Sequence, residues 1–207
     1  MRLTKNQIAI RATVVTVMAL VMLVCAGSAM AQTSDVLKVT YFNNNGVEGA
    51  PLARVHVLNP GLGALCADVY VWRADQELTE CCSCPISTNG LLTFNVNTAT
   101  GNPGDGGGIP GSGSIDIIAD STSDCTDAAA AAPTPTPTLR AWATHVNVDT
   151  TGTFDVTETP FVDATLSSGQ LAEAAGRCAA IQANDSGHGL CDAICGEEEA
   201  TVKTRAK

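Results

Sequence analysis

Apolar residues alternate with polar ones in short runs along most of the chain, and follow a helical period in one stretch near its end. Val36 to Phe42 alternates in this way and predicts a strand, closed by the Asn43-Asn44-Asn45-Gly46 turn. Arg54 to Leu58 predicts a second strand, ended by Asn59-Pro60-Gly61. From Leu65 to Trp72 the residues Ala67, Val69 and Val71 share one face, and Cys66, Asp68, Tyr70 and Trp72 share the other. With Arg73 to Gln76 as the turn, this strand pairs with the Cys81-Cys82-Ser83-Cys84-Pro85 run. Val71 then faces Leu78, and Ala67 faces Cys82. Adjacent cysteines on a strand point to opposite faces, so Cys81 and Cys82 are expected to take different partners. A one-residue slip would set Cys66 with Cys82 and Cys84 instead.

Further strands are predicted at Leu91 to Val96, Ser114 to Ala119 and Leu139 to Val148, where Trp142, Thr144 and Val146 share a face. Thr153-Phe154-Asp155-Val156 echoes Thr93-Phe94-Asn95-Val96, as two similar sandwich strands would. The single helical pattern starts near Ser167, where Ser167 and Gln170 have capping-box spacing. Leu171, Ala174, Ala175, Cys178 and Ile181 form its apolar stripe, and Gly187 or Gly189 ends it. Cys178 on that stripe is expected to meet Cys191 or Cys195. The fold class that follows is mainly β: an antiparallel β-sandwich stapled by disulfides, with one C-terminal α-helix.

The ends and two internal tracts fall outside this pattern. Arg2, Lys5 and Arg11 precede the charge-free run Ala12 to Val24, and Ala29-Met30-Ala31 is a cleavage motif. Residues 1–31 are therefore expected to be a signal peptide. The longer stretch Ala12 to Ala31 would also suffice for an uncleaved anchor, but small residues before the cut and Gln-Thr-Ser-Asp after it favour cleavage. Val24 before Cys25 speaks against a lipoprotein. Residues 32–195 are expected to form one domain, followed by a charged, disordered tail over 196–207. Within the domain, the Gly-rich segment 101–113 reads as a flexible loop. It lacks the Lys and Ser/Thr of a phosphate-binding loop. The Ala/Pro/Thr-rich segment 128–138 reads as an extended polyproline rod, either a surface loop or a linker.

Charge and cysteine content narrow the chemistry. Loss of Arg2, Lys5 and Arg11 with the leader moves the formal net charge from −10 to −13. That excess of acid disfavours nucleic acid and anionic membranes as partners. Nine cysteines become eight when Cys25 leaves with the leader: Cys66, Cys81, Cys82, Cys84, Cys125, Cys178, Cys191 and Cys195. An even count in an exported chain reads as disulfides, with 105 connectivities open. A thiolate metal site built from Cys66, Cys81, Cys82 and Cys84 is the competing reading, but the spacing departs from that of structural zinc sites. No metal, haem or other cofactor is expected.

No catalytic residue stands out. His56 and His145 fall in predicted strands as solvent-face residues, and His188 sits in a Ser-Gly-His-Gly loop. Asp116, Asp120, Asp124, Asp127, Asp149, Asp155, Glu158 and Asp163 read as a solvated acidic face, although two of them could meet as a hydrolase pair. Asp120 to Asp124 and Asn97 to Asp105 are candidate calcium clusters that do not match an EF-hand loop. Tyr70 and Trp72 are the candidate ligand-binding residues, as a sugar-stacking platform, with packing over a disulfide as the competing use.

The run Leu-Cys-Ala-Asp-Val-Tyr-Val-Trp, the Cys-Cys-Ser-Cys-Pro-Ile segment, Leu-Arg-Ala-Trp-Ala-Thr-His and the Cys178 helix together resemble secreted cysteine-rich proteins of environmental bacteria, especially acidobacteria. The resemblance covers most of the mature chain. It implies export and disulfide bonding, and supplies no active-site residue. The expected function is a non-enzymatic extracellular structural or surface protein, such as a filament or matrix subunit. It would be secreted, at the cell surface or in the periplasm, without a membrane anchor after cleavage. Self-association or other extracellular proteins would be its partners, through strand exchange if Val36 to Phe42 is an unprotected edge. A carbohydrate- or calcium-binding module is the alternative, and a secreted hydrolase the second.

Overall fold

Every second side chain of the central strands enters an apolar interior, which fixes two sheets face to face. A computed structural model describes residues 36–43, 47–96, 110–122, 124–125, 133–183 and 194–196. The chain divides into a unit Met1–Thr33 and a unit Ser34–Lys207, which holds every described residue. The strands in chain order are β1 (Leu37–Phe42), β2 (Arg54–Leu58), β3 (Leu65–Arg73), β4 (Leu78–Ile86), β5 (Leu91–Asn95), β6 (Gly113–Asp120), β7 (Arg140–Val148), β8 (Phe154–Pro160) and β9 (Val162–Ala164). Helix α1 spans Ser168–Ala183.

The first sheet runs β4-β3-β6-β1-β9 and the second β5-β2-β7-β8, and all pairings are antiparallel. Val55, Val57, Leu92 and Phe94 of the second sheet meet Ala67, Val69, Val71, Ile115 and Ile117 of the first. Burial of this many apolar side chains, each contributing roughly 1.5–3 kcal/mol, is the main force holding the layers together. The outer face of the first sheet is covered in turn. Ala174 and Cys178 of α1 pack with Tyr70, Leu78, Cys81 and Ile118. β3 is therefore buried on both faces from Leu65 to Val71, which places Asp68 in the interior.

The mainly β fold with one C-terminal helix is as the sequence predicts. Several details differ. The β3–β4 hairpin pairs Ala67 with Cys84 and Val71 with Glu80, two residues away from the expected register. A bulge between Val71 and Trp72, and a turn with Gln76 at φ 72°, take up the difference. On the Ala67 side of the bulge the shift is even, so Cys81, Cys82 and Cys84 keep their predicted faces. Beyond it Leu78 pairs with Trp72 and joins the helix side, not the face of Val71. β1 lies between β6 and β9, so it is an internal strand and not an unprotected edge. β9 is too short to show a pattern of its own. It forms because Phe161 crosses from one sheet to the other, its N–H donating to the Ala141 carbonyl (2.9 Å), and delivers Val162–Ala164 beside Leu37–Val39.

The two low-complexity tracts are also more ordered than expected where they are described. Thr134 and Thr136 lie between prolines and keep their own backbone groups. The Thr136 N–H donates to the Ala119 carbonyl (2.9 Å), and Thr134 accepts from the Ser121 N–H (3.1 Å). Alternation thus spares every second donor, and Pro135 forms a bridge with Asp120 at the end of β6. Residues 101–109 and 126–132 lie outside the described residues. Gly113 is not part of a flexible loop but the first residue of β6. The predicted capping box closes the start of α1: Gln170 N–H donates to Ser167 Oγ (3.2 Å) and Ser167 N–H to Gln170 Oε1 (3.0 Å). On β7, Trp142 and Thr144 are partly exposed, whereas Val146 is buried with the core.

A Cβ at Gly113 would lie 1.9 Å from the Trp72 carbonyl oxygen and 2.7 Å from the Phe42 ring. Backbone and a buried ring cannot both give way cheaply. Gly113→Ala is therefore expected to cost roughly 1–3 kcal/mol, read as a lowered denaturation midpoint. An unchanged midpoint would show that β6 does not start in contact with Trp72.

Candidate functional site

Disulfides occupy the cysteines of the central hairpin. Cys66 bonds Cys125, Cys81 bonds Cys178 and Cys84 bonds Cys195. Cys82 is also disulfide-bonded, to a partner outside the described residues, where Cys191 and His188 also fall. Cys178 therefore meets the hairpin and not Cys191 or Cys195. It lies on the face of α1 laid over β4, where Cys81 points out of the sheet. Cys82 and Cys84 point the other way, into the sandwich core. The divergence of Cys81 and Cys82 follows from strand alternation, as expected. The three mapped bridges close loops of 59, 97 and 111 residues, each worth roughly 4 kcal/mol in the chain-entropy model. With their sulfurs joined in bridges, these cysteines have no thiolate to offer a metal.

The covering of the first sheet by α1 is incomplete at one end, and leaves a groove of about 440 Å³. Tyr70, Trp72, Ser114 and Asp116 form its floor, and Gln170, Glu173 and Arg177 come from the helix. Strand geometry explains the floor: Tyr70 pairs with Asp116 and Trp72 with Ser114, so all four side chains share one face. Both sequence-nominated residues therefore reach one site, with different roles. Tyr70 is fully buried beneath it, opposite Cys81 and hence beside the Cys81–Cys178 bridge. Burial and the nearby Asp68 and Asp120 carboxylates push its phenol up, so it stays protonated. Trp72 is only partly buried and offers a ring to the groove.

Arg177 fixes the rim. Its guanidinium lies 5.5 Å over the Trp72 ring and donates to Glu173 Oε1 (2.8 Å) and to the Gln76 carbonyl (3.1 Å). The Arg177 charge is thus matched by Glu173. Asp116 has no such partner: no ion pair reaches it among the described residues. Burial pushes its carboxyl up to about 6. The buried indole N–H of Trp72 is turned to this carboxyl, short of a closed hydrogen bond, and holds the rise back. A donor and an acceptor, both under-used, therefore stand side by side on the floor. Asp116 was expected on a solvated face. Its place in an alternating strand gave no sign that a helix would cover it.

Two more carboxylates are buried in the hairpin. Asp68 is pushed up to about 7 by burial, with the Asp120 charge adding to the rise and the hydrogen bond from Ser83 Oγ (2.5 Å) opposing it. Glu80 is pushed up to about 8 by burial, against the Cys81 N–H that donates to Oε1 (3.1 Å). Asp120, also buried, accepts from the Thr122 N–H (2.9 Å) and the Thr134 N–H (3.1 Å). Its oxygen thus organises the chain that follows β6. Residues 97–105, the other candidate calcium cluster, lie outside the described residues. Among the described residues no group of three His, Cys, Asp or Glu is placed to hold a metal ion.

The histidines do not converge on the groove. His145 is buried, not on the solvent face, with Nε2 2.7 Å from Thr159 Oγ1 and its ring stacked on Tyr41 at 4.3 Å. Burial lowers its pKa. Its partners are a hydroxyl and a ring, not the carboxylate that a hydrolase would need. His56 lies on the outer face of the second sheet, stacked on Trp142 (5.2 Å) and hydrogen-bonded through Nδ1 to Thr93 Oγ1 (2.9 Å). Its pKa is lowered by burial first, with Glu158 opposing and Arg54 adding to the shift.

No protein-family model, curated protein or solved structure matches the chain. No helix among the described residues is long and apolar enough to cross a membrane.

Asp68, Glu80 and Asp116 each bind protons more tightly folded than unfolded. The folded state therefore gains stability from them in acid, and loses it as pH rises through about 6, 7 and 8. Stability measured by denaturant unfolding is expected to fall by a few kcal/mol from pH 5 to pH 8.5, because each tenfold gain in proton affinity is worth about 1.4 kcal/mol. Asp68→Asn should remove the part of that slope centred below pH 7. A midpoint that rises over this range would mean that these carboxyls are not buried.

Proposed function

We propose that the protein is a non-enzymatic, exported binding module that takes a saccharide in the groove between α1 and the first sheet. The observation that carries this reading is the pairing of a partly exposed Trp72 ring with the unmatched Asp116 carboxylate on one floor. A sugar ring has an apolar face that stacks on an aromatic side chain, and hydroxyls that both donate and accept. The groove volume falls within the range of small-ligand sites, about 300–1,000 Å³. Ser114 on the floor and Gln170 and Gln76 at the edge supply further neutral polar groups. The disulfides fit an oxidising compartment and hold the floor and the helix at a fixed separation.

A second reading, a structural subunit of a filament or matrix, is favoured by a different feature. β8 is an edge strand of seven residues, six of them exposed, and its outer ladder side pairs with no described strand. Such an edge can accept a strand from another chain. Size-exclusion chromatography and negative-stain imaging at high concentration separate the readings: the filament subunit assembles, and a simple binding module stays monomeric.

The binding reading is tested on a glycan array with the mature chain, with and without chelator. Binding to a saccharide that persists in chelator is expected. Trp72→Ala should weaken it about tenfold while the protein keeps all its disulfides. Asp116→Asn should weaken it as well and remove its pH dependence near pH 6. An array without any bound glycan would end this proposal.

A further inference from the structure

The two faces of the sandwich are treated differently by the chain. α1 covers the outer face of the first sheet, whereas no described element lies over the outer face of the second. Its exposed rows are set by strand pairing. His56 stands between Thr93 and Trp142, and Arg54 stands opposite Asn95. Leu58 stands between Leu91 and Arg140. Alternation puts Arg54, His56, Thr93, Trp142, Thr144 and Arg140 on this one face. At the centre, His56 and Trp142 form a stacked pair at 5.2 Å with planes 22° apart. Arg54 lies two residues from His56 along β2, and Arg140 two residues from Trp142 along β7, toward opposite ends. The two arginine backbones are thus about 13 Å apart along the strands, with the rings midway.

These arginines are unusual in their surroundings. The chain carries a net charge of −10, and among the described residues its other cations are matched: Lys38 with Asp163, Arg73 with Asp75 and Arg177 with Glu173. Arg54 and Arg140 are both exposed, and neither pairs with a described carboxylate. One carboxylate shares the face: Glu158 on β8, 3.9 Å from His56 Nε2. Its charge bars an anion from the β8 side and leaves the line along β2 and β7 open. His56, with its pKa lowered, is neutral near pH 7 and acts there as a ring and not as a charge.

We propose that the outer face of the second sheet is a docking surface for an acidic polysaccharide, with a sugar ring on the His56–Trp142 stack and carboxylates on Arg54 and Arg140. Guanidinium groups bind carboxylates in a fork, and neutral sugars offer them nothing equivalent. Thr93, Asn95 and Thr144 around the stack supply partners for hydroxyls. The surface is independent of the groove, which opens on the far side of the first sheet. The protein would hold an acidic matrix with one face and leave the groove free on the other.

Affinity electrophoresis of the mature protein through gels containing polygalacturonate, or dextran as the neutral control, tests this. Retardation by polygalacturonate alone is expected, strong at about 0.02 M salt and largely lost at about 0.5 M. Arg54→Gln and Arg140→Gln should each weaken it about tenfold, and Arg54→Lys less. Trp142→Ala should weaken it at high and low salt alike. Circular dichroism and a free-thiol assay confirm that each variant is folded. Three results would overturn the proposal: no retardation of the native protein by polygalacturonate, equal retardation by dextran, or full retardation of the Arg54→Gln/Arg140→Gln double variant.

Discussion

Side chains of a strand alternate between its faces, and in β4 that alternation falls on cysteines. Cys81 leaves the sheet on the helix side, and Cys82 and Cys84 leave it on the core side. One strand at the edge of the first sheet is thereby tied to α1 above it and to Cys195 below it. β3, its neighbour, adds the Cys66–Cys125 bridge at the end of β6. The hairpin is thus the common anchor for segments distant in sequence. The fixed height of α1 over Tyr70 and Trp72 follows from the Cys81–Cys178 bridge, and the groove exists because of that height.

The same hairpin carries the fold's electrostatic cost. Asp68 and Glu80 sit on opposite faces of it, both nearly inaccessible to water. In a core of apolar residues an ionised carboxylate is expensive, and hydroxyl or N–H partners only partly offset that. The bridges supply stability of comparable size through the unfolded state, which lets the hairpin retain buried acids. Asp116 belongs to this group through its raised pKa but differs in position. It opens on a groove, where a ligand could satisfy it.

Strand-rich architecture, the capping box of α1 and the opposed directions of Cys81 and Cys82 were legible in the sequence because each rests on local periodicity. The connectivity was not. Which cysteine meets Cys178 depends on where α1 lands, a long-range outcome that helical period does not encode. The hairpin register slipped by two because neither the length of the turn nor the bulge leaves a mark in the alternation of apolar residues. β9 owes its existence to a neighbour and not to its own three residues. Tyr70 and Trp72 could be nominated as aromatic neighbours on one face, but Asp116, Gln170 and Arg177 join them only through pairing and packing. His56, Trp142, Arg54 and Arg140 come from two strands more than eighty residues apart. Their common face becomes visible only once β2 and β7 are paired.

The order of the bridges along the chain has a consequence for survival of a proteolytic cut. Cys66, Cys81, Cys84 and Cys125 precede residue 126, and Cys178 and Cys195 follow residue 177. A protease that cuts anywhere between Cys125 and Cys178, the low-complexity tract included, separates two polypeptides that stay covalently joined at Cys81 and Cys84. The nicked molecule keeps its helix on its sheet and both pieces on one particle. Persistence in a protease-rich setting therefore depends less on hiding that tract than on keeping the hairpin oxidised.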